Sequence, residues 1–241
     1  MDKVDAYISK KVQYGESDLI LHLITKEMGK ISAIARGARR SKKRFEAGLS
    51  NYILYSCSLG HQNRSNLFLL KETSIVKSFQ FLLNSYRRIS TAAYATELTA
   101  LFMPENQEEP LLFEFLNHNY HLLDNPDFSP AVLVPRIMYK ILELAGFPPQ
   151  LDRCIHCNSL MPDTGARWGF DNNQGGVVCP DCGDLKPIVG INELKWLVAE
   201  VDELKNRRIN RREYNNIYNL LSSFIRYTTR QWLVSEKFLI F

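Results

Sequence analysis

The chain has 241 residues, of which 45% are hydrophobic, so it can bury the core of one large or two small domains. No apolar run approaches the roughly 18 residues that span a bilayer, and the polar start MDKVDAYISKK lacks the apolar stretch of a secretory signal, so we expect a soluble, cytoplasmic protein without a membrane partner. The net charge of +4 is uneven, because residues 1–80 carry 14 basic and 7 acidic side chains and the remaining residues carry 16 and 19. The positive potential therefore belongs to the N-terminal third.

The first 76 residues have the pattern of short β-strands. Apolar runs rich in β-branched and aromatic side chains alternate with clusters of Gly, Asn and Ser. The five predicted strands are VDAYISKKV, SDLILHLIT, KISAIA, NYILYSCSL and NLFLLKETSIV. Five short strands in a segment of this length predict a small closed barrel, which we assign to residues 1–78.

From Phe79 onward the apolar spacing becomes helical. One helix of about six turns is predicted up to Pro104. Further helices are predicted around Leu111–Leu123 and Val132–Leu144.

Two more helices are predicted near the C-terminus. Asn192 is interpreted as the N-cap of a helix that carries Trp196 and Leu204. The last helix is predicted to carry apolar residues from Tyr214 to Trp232. The predicted fold class is thus α+β, with an all-α domain over residues 79–241.

Four of the five cysteines form two CxxC pairs, in CIHC and CPDC, with 21 residues between the pairs. A cytoplasmic compartment keeps thiols reduced, so this spacing indicates metal rather than disulfides. Two such turns bring four thiolates to one ion at about 2.3 Å, a tetrahedral donor set that favours Zn²⁺. The predicted ligands of one structural zinc ion are Cys154, Cys157, Cys179 and Cys182, in a zinc ribbon at about residues 150–187.

Other interpretations of the cysteines are weaker. One alternative is that the four cysteines are reduced and bind no metal. A redox site is the other, but it needs a single CxxC motif at a helix start after a strand. A catalytic zinc would keep one ligand position open, and four thiolates close it. His156, between the first two ligands, could replace one of them, but we interpret it as a surface residue or as a neighbour of the ligands that does not bind the ion.

Residues 35–45 read ARGARRSKKRF and contain six basic side chains and no acid. The segment follows the third predicted strand, where a loop of an oligonucleotide-binding (OB) barrel projects beside the groove for single strands. We therefore predict a DNA-binding segment with low sequence specificity, formed by Arg36, Arg39, Arg40, Lys42, Lys43 and Arg44. The alternative is a solvated loop.

Four aromatic residues near this segment could stack on bases or fill the barrel core, namely Tyr14, Phe45, Tyr52 and Tyr55. The sequence assigns none of them to the site.

Enzymatic motifs are missing from the sequence. The pair Gly29-Lys30 is followed by Ile31 and forms no P-loop, and neither HExxH nor GxSxG occurs. Glu16 and Asp18 could hold Mg²⁺ as in a nuclease, but no further acids accompany them. We expect a protein without catalytic activity.

The stretch YGESDLILHLITKEMGKISAIARGARRSKKRFEAGL resembles the N-terminal signature of the RecO family. The resemblance continues in AYATEL at residues 93–98, in LELAGFPPQLDRCIHC at residues 142–157, and in GGVVCPDC at residues 175–182. It implies an N-terminal OB barrel, a C-terminal helical domain and a zinc ribbon. The six basic residues correspond to the family's DNA-binding loop, and the four cysteines to its zinc ligands.

The resemblance also implies a function in recombinational repair. Family members bind single- and double-stranded DNA, anneal complementary strands, and act with RecR to load RecA onto DNA coated by single-stranded-DNA-binding protein (SSB). The tail of SSB binds the helical domain, but no motif here assigns residues to that contact. The alternative functions are a zinc-ribbon adaptor in transcription or chromatin organisation and a nuclease.

Overall fold

The computed structural model describes residues 2–41, 43–61, 67–162, 167–183, 188–190 and 194–240. The chain divides into two compact units. The first comprises Met1–Asn84 and Thr96–Asp124, and the second comprises Ser85–Ala95 and Asn125–Phe241. Within the described residues, no helix combines the length and the apolarity that a bilayer span requires.

The first unit is built on a closed five-stranded barrel, which confirms the predicted strands. Its strands are β1 (Asp2–Tyr14), β2 (Asp18–Thr25), β3 (Gly29–Ala35), β4 (Ile53–Gly60) and β5 (Phe68–Ser78). They lie in the order β1-β2-β3-β5-β4, with β3 and β5 parallel and the other pairs antiparallel. Alternate side chains such as Leu21, Leu23, Ile31 and Ala33 are buried inside the barrel, which is why a period of two was visible in the sequence.

Three helical segments complete the first unit. They are α1 (Gln80–Leu83), the end of α2 (Tyr86–Phe102) and α3 (Pro110–Leu123). Helix α3 packs on the barrel through Tyr120, whose ring centroid lies 4.7 Å from that of Tyr7. The Tyr7 hydroxyl donates a hydrogen bond of 2.7 Å to Asn117 Oδ1. Burial raises the pKa of Tyr7, so this hydroxyl stays protonated.

The second unit contains α4 (Pro130–Leu144), α5 (Arg211–Thr229) and a three-stranded sheet. The sheet consists of β6 (Arg167–Asp171), β7 (Gly176–Val178) and β8 (Ile188–Gly190) in the order β7-β6-β8. It packs against α5, because the rings of Phe170 and Phe224 meet edge to face with centroids 5.6 Å apart. The Ser223 hydroxyl adds a hydrogen bond of 3.0 Å to Asn172.

The single helix predicted over residues 79–104 was wrong, because it is divided into α1 and α2 at Asn84 and Ser85. The backbone N–H of Leu82 donates to the Asp124 carboxylate at 3.0 Å, while Ile89 N–H begins the second helix by donating to the Ser85 carbonyl at 2.9 Å. Because Leu82 lies in the first turn of α1, the Asp124 carboxylate satisfies one of the N–H groups that the start of a helix leaves unpaired.

The two C-terminal helix predictions were also wrong in part. Residues 195–204 form two short 3-10 turns, Lys195–Leu197 and Val201–Leu204, and the intended cap Asn192 lies outside the described residues. Extended backbone at Glu200 separates the turns, with ψ of 152°. Helix α5 ends at Thr229 because Arg230 adopts a left-handed conformation with φ of 54°, so Trp232 lies beyond it and is 74% exposed.

The barrel ends at Ser78 with β5, whereas the first compact unit also takes in residues 79–84 and 96–124. The division into a domain of residues 1–78 and a domain of residues 79–241 stays a prediction.

Candidate nucleic-acid interface and metal centre

The basic segment is the loop after β3, and the β1–β2 turn holds its first half. Asp18 Oδ1 accepts hydrogen bonds from Gly37 N–H at 2.8 Å and from the Ser17 hydroxyl at 3.1 Å. Arg39 N–H donates to the Ser17 carbonyl at 3.0 Å. Gly37 has φ of +67°, a left-handed conformation that glycine adopts without steric cost. These contacts give the loop a defined path.

Arg44 holds the second half of the loop. Its Nη2 donates to the Arg36 carbonyl at 2.7 Å, and its guanidinium carbon lies 5.0 Å from the ring centroid of Phe45. The Arg44 carbonyl in turn accepts a hydrogen bond of 2.9 Å from Thr73 N–H in β5. Arg44 thus orders the loop through contacts within the chain.

The basic side chains of this loop are exposed to solvent. Arg39 donates to the Glu16 carbonyl at 3.1 Å, and Arg40 forms an ion pair of 3.6 Å with the Glu16 carboxylate. Arg40 and Glu16 are 73% and 93% exposed, and such exposed pairs contribute little to stability, so an anion can displace them. The exposed members among the described residues are Arg36, Arg39, Arg40, Lys43 and Arg44, while Lys42 lies outside the described part of the chain.

Glu16 and Asp18, the two acids that could hold Mg²⁺, both contact this loop. The hydrogen bond from Gly37 N–H holds the pKa of Asp18 below its ordinary value, with smaller contributions from the Ser17 hydroxyl and Arg36. Glu16 contacts Arg40 as described above. Their contacts are explained without a metal ion.

The nearby aromatic residues divide by exposure. Phe45 and Tyr55 belong to the barrel core, with 1% and 0% of their surfaces exposed. Tyr14, at the end of β1, is 55% exposed. Tyr52 is half-buried, and its ring centroid lies 6.2 Å from that of Tyr120. Tyr14 therefore has the most exposed ring of the four.

The four paired cysteines come together in the second unit. Their Sγ atoms all lie within 4.8 Å of one another, and those of Cys157 and Cys179 are 3.6 Å apart. Four sulfurs at about 2.3 Å from a central Zn²⁺ would be separated by about 3.8 Å, so the cluster fits a tetrahedral ion. The cysteines could therefore hold a metal ion, as the spacing predicted.

Backbone N–H groups point at the first cysteine of the cluster. Those of His156 and Cys179 each donate to Cys154 Sγ at 3.4 Å. Burial acts to raise the pKa of Cys154, but hydrogen bonds from backbone N–H groups outweigh it and lower the pKa to about 6. The proximity of the other three sulfurs raises the pKa of Cys182 to about 12. A cation at the centre would relieve this repulsion and allow all four thiols to ionise.

His156 is exposed, and the group of possible metal ligands found among the described residues contains the four cysteines without it. Cys57 is buried separately in the barrel.

Comparison with known proteins identifies the family. A model of the recombination protein O N-terminal domain matches residues 1–79, and a model of the recombination protein O C-terminal domain matches residues 83–237. The chain belongs to the RecO family. The basic loop lies in the first matched region and the four cysteines in the second.

Individual relatives agree with this assignment. The chain is 28% identical to the DNA repair protein RecO of Alkaliphilus metalliredigens (strain QYMF), with 92% of each chain covered. It is 31% identical to that of Symbiobacterium thermophilum, covering 98% of this chain and 95% of the relative. It is 36% identical to that of Anaeromyxobacter sp. (strain K), covering 77% and 72%. The RecO resemblance seen in the sequence is confirmed.

A second basic segment was not predicted as a site from the sequence. Residues 205–212 read KNRRINRR, with five basic side chains in eight positions. Charge density, the signal that singled out residues 36–44, would have found it too.

Proposed function

We propose that the chain is a non-enzymatic mediator of recombinational DNA repair that binds and anneals DNA strands. The observation that carries this proposal is the ordered, exposed basic loop on the barrel of a RecO-family chain. Hydrogen bonds hold the loop backbone at Gly37, Arg39 and Arg44, so less backbone entropy is lost when an anion binds. The proposed DNA contacts are Arg36, Arg39, Arg40, Lys42, Lys43 and Arg44.

These side chains contact phosphates rather than bases. Arginine presents a planar fork that matches phosphate oxygens, and lysine provides a point charge. Phosphates are common to all sequences and to both single and double strands, so binding is insensitive to sequence and strongly sensitive to salt. Annealing follows when two neutralised complementary strands meet, and it needs no nucleotide hydrolysis.

We further propose that Cys154, Cys157, Cys179 and Cys182 hold one structural Zn²⁺. When bound, the ion cross-links the two CxxC turns, which are too small to be stabilised by apolar burial. The adjoining sheet packs on α5 through Phe170 and Phe224. The metal therefore stabilises the second unit rather than the DNA contact.

Membership of the RecO family supports a proposal about the partners. We propose that the protein acts in the cytoplasm on nucleoid DNA, binds RecR and the C-terminal tail of SSB, and through RecR promotes RecA loading on SSB-coated strands. The DNA contact itself belongs to the basic loop.

The test is annealing of complementary oligonucleotides in the absence of nucleotide, with and without SSB. We expect the protein to accelerate annealing, with neither ATP turnover nor strand cleavage in Mg²⁺. RecA filament formation on SSB-coated strands should require this protein together with RecR. A protein that bound no DNA at low salt, or that cleaved DNA in Mg²⁺, would contradict the proposal.

A further inference from the structure

A second cluster of positive charge lies in the second unit, at the start of α5. Residues 205–212 carry five basic side chains, although residues 81–241 as a whole carry 16 basic and 19 acidic ones. The cluster thus interrupts a region of net negative charge. It spans the connection between the 3-10 turn Val201–Leu204 and the first turn of α5.

Two of the five basic residues have partners in the structure. Lys205 forms an ion pair of 2.8 Å with Asp202. The guanidinium carbon of Arg207 lies 5.4 Å from the ring centroid of Trp196, which is buried. Their positions are explained by these contacts.

The other three, Arg208, Arg211 and Arg212, are exposed, and none forms an ion pair with an acid among the described residues. Arg211 and Arg212 occupy the first turn of α5, where the helix dipole is positive and basic side chains are unfavourable. The backbone at this end is capped within the chain, since Glu213 N–H donates to Asn210 Oδ1 at 2.9 Å. The guanidinium groups of Arg211 and Arg212 therefore do not stabilise this end of the helix, and together with Arg208 they leave a concentrated positive charge facing solvent.

We propose that Arg208, Arg211 and Arg212 form a second phosphate-binding surface for the backbone of a nucleic acid strand. The inference rests on the proposed DNA-binding function and adds a contact in the second unit. A nucleic acid is favoured over an acidic peptide because the exposed side chains of the segment are charged or polar, and its one apolar residue, Ile209, is half-buried. Arginine forks and no apolar anchor suit sequence-independent phosphate contact. This surface provides a second contact with DNA, which a protein that anneals strands can use to bind two strands at once.

The test combines two sets of substitutions in the full chain. The first replaces Arg39, Arg40, Lys42 and Lys43 with Gln in the barrel loop, and the second adds Arg208→Gln, Arg211→Gln and Arg212→Gln. A matched control adds Arg87→Gln, Lys195→Gln and Lys237→Gln instead, which removes the same charge from exposed positions of the second unit. Binding of a long single-stranded oligonucleotide is measured across a salt series, with thermal melts to verify folding.

We expect the barrel-loop variant to keep weak binding, and the three added arginine substitutions to reduce it further. They should flatten the plot of log affinity against log salt by about 2, at 0.7 for each lost single-strand contact. The control substitutions should change the slope little. Equal slopes for the arginine set and its control would overturn the inference while leaving the proposed function intact. Binding of polyglutamate is measured in the same way as a probe for an acidic peptide. If the three arginine substitutions reduced polyglutamate binding without changing DNA binding, that result would also overturn the inference, in favour of an acidic protein partner. Absence of DNA binding by the unmodified chain would instead refute the proposed function.

Discussion

At the scale of single residues, Asp18 illustrates how contacts decide a role that the sequence leaves open. In the sequence it is one of two neighbouring acids that could hold Mg²⁺. In the structure its carboxylate accepts from Gly37 N–H and from the Ser17 hydroxyl, and thereby fixes the start of the basic loop. Arg44 is a second example, because it is one of six similar cations in the sequence but bonds to the Arg36 carbonyl in the structure. Neither contact has a signature in the sequence.

The Asp18 contact predicts a pH dependence. Hydrogen bonding from Gly37 holds the pKa of Asp18 below its ordinary value, so the contact stabilises the folded loop above the pKa of an unfolded Asp. That stabilisation is lost as the pH falls through the lower, folded pKa. The amide resonance of Gly37, followed by NMR, should therefore titrate with a midpoint below about 3.9, the ordinary value for Asp.

Two variants serve as controls for this titration. Asp18→Asn should abolish it, because the titrating carboxyl is removed, whereas Glu16→Gln should retain it. A Gly37 midpoint at or above the ordinary Asp value would show that the hydrogen bond does not favour the ionised carboxylate.

At the scale of elements, the strands could be predicted and several helix ends could not. Buried and exposed side chains alternate along the barrel strands, so apolar residues recur at every second position of the sequence. The start of α1 is capped instead by Asp124, which is 42 residues from its partner Leu82, and no local pattern predicts such a contact. The cysteine cluster could be predicted because each CxxC turn brings its own two thiolates together, and only the meeting of the two turns needs the fold.

The β2–β3 turn makes a close contact that glycine alone permits. Gly29 has φ of +62°, and a Cβ atom there would collide with the backbone oxygens of Pro104 and Gln107. Hydrogen bonds from Lys30 N–H to the Pro104 carbonyl at 2.9 Å and from Asn106 N–H to the Lys30 carbonyl at 3.0 Å hold the two segments together. We therefore expect Gly29→Ala to lower the free energy of unfolding by about 3 kcal/mol or more, measured by urea denaturation.

Gly15→Ala is the matched control for this substitution. Gly15 has a similar φ of +59°, but nothing lies within 4 Å of its hypothetical Cβ. Gly15→Ala should lower the free energy of unfolding by only about 1 kcal/mol, the cost of the left-handed conformation for a residue with a Cβ atom. Equal losses for the two variants would show that the Pro104–Gln107 contact does not constrain the turn.

The zinc-ribbon element predicts a link between metal and stability. Cys157→Ser should lower the zinc content from one per chain and lower the melting temperature, because binding of the metal contributes to folding of the second unit. A chelator should destabilise the unmodified protein but not this variant. Cys57→Ser, which alters the buried barrel cysteine, should keep the metal. A structural zinc site would be contradicted if Cys157→Ser kept its full zinc content, or if the chelator left the melting temperature of the unmodified protein unchanged.

At the scale of the whole molecule, charge is distributed unevenly along the chain. The excess of basic residues lies in the first 80 residues, which include the barrel and its loop, while the rest of the chain is slightly acidic. This asymmetry was visible in the sequence, and so was the RecO resemblance, because both depend on residue identity alone. The path of the loop, which determines which cations face solvent, depends on contacts with the β1–β2 turn and β5. These solvent-facing cations are the groups that we propose to bind phosphate.

The most direct measurement of that phosphate binding is the salt dependence of single-strand binding by a variant with Arg39, Arg40, Lys42 and Lys43 changed to Gln. Exposed charges contribute little to stability, so the variant should melt as the unmodified protein does. A control with Lys3, Lys26, Lys71 and Lys77 changed to Gln removes the same charge from residues outside the loop. We expect the loop variant to bind unrelated oligonucleotides more weakly by a similar factor, with a plot of log affinity against log salt flatter by about 3. A loop variant that melts normally yet keeps the affinity and salt slope of the unmodified protein would contradict the account.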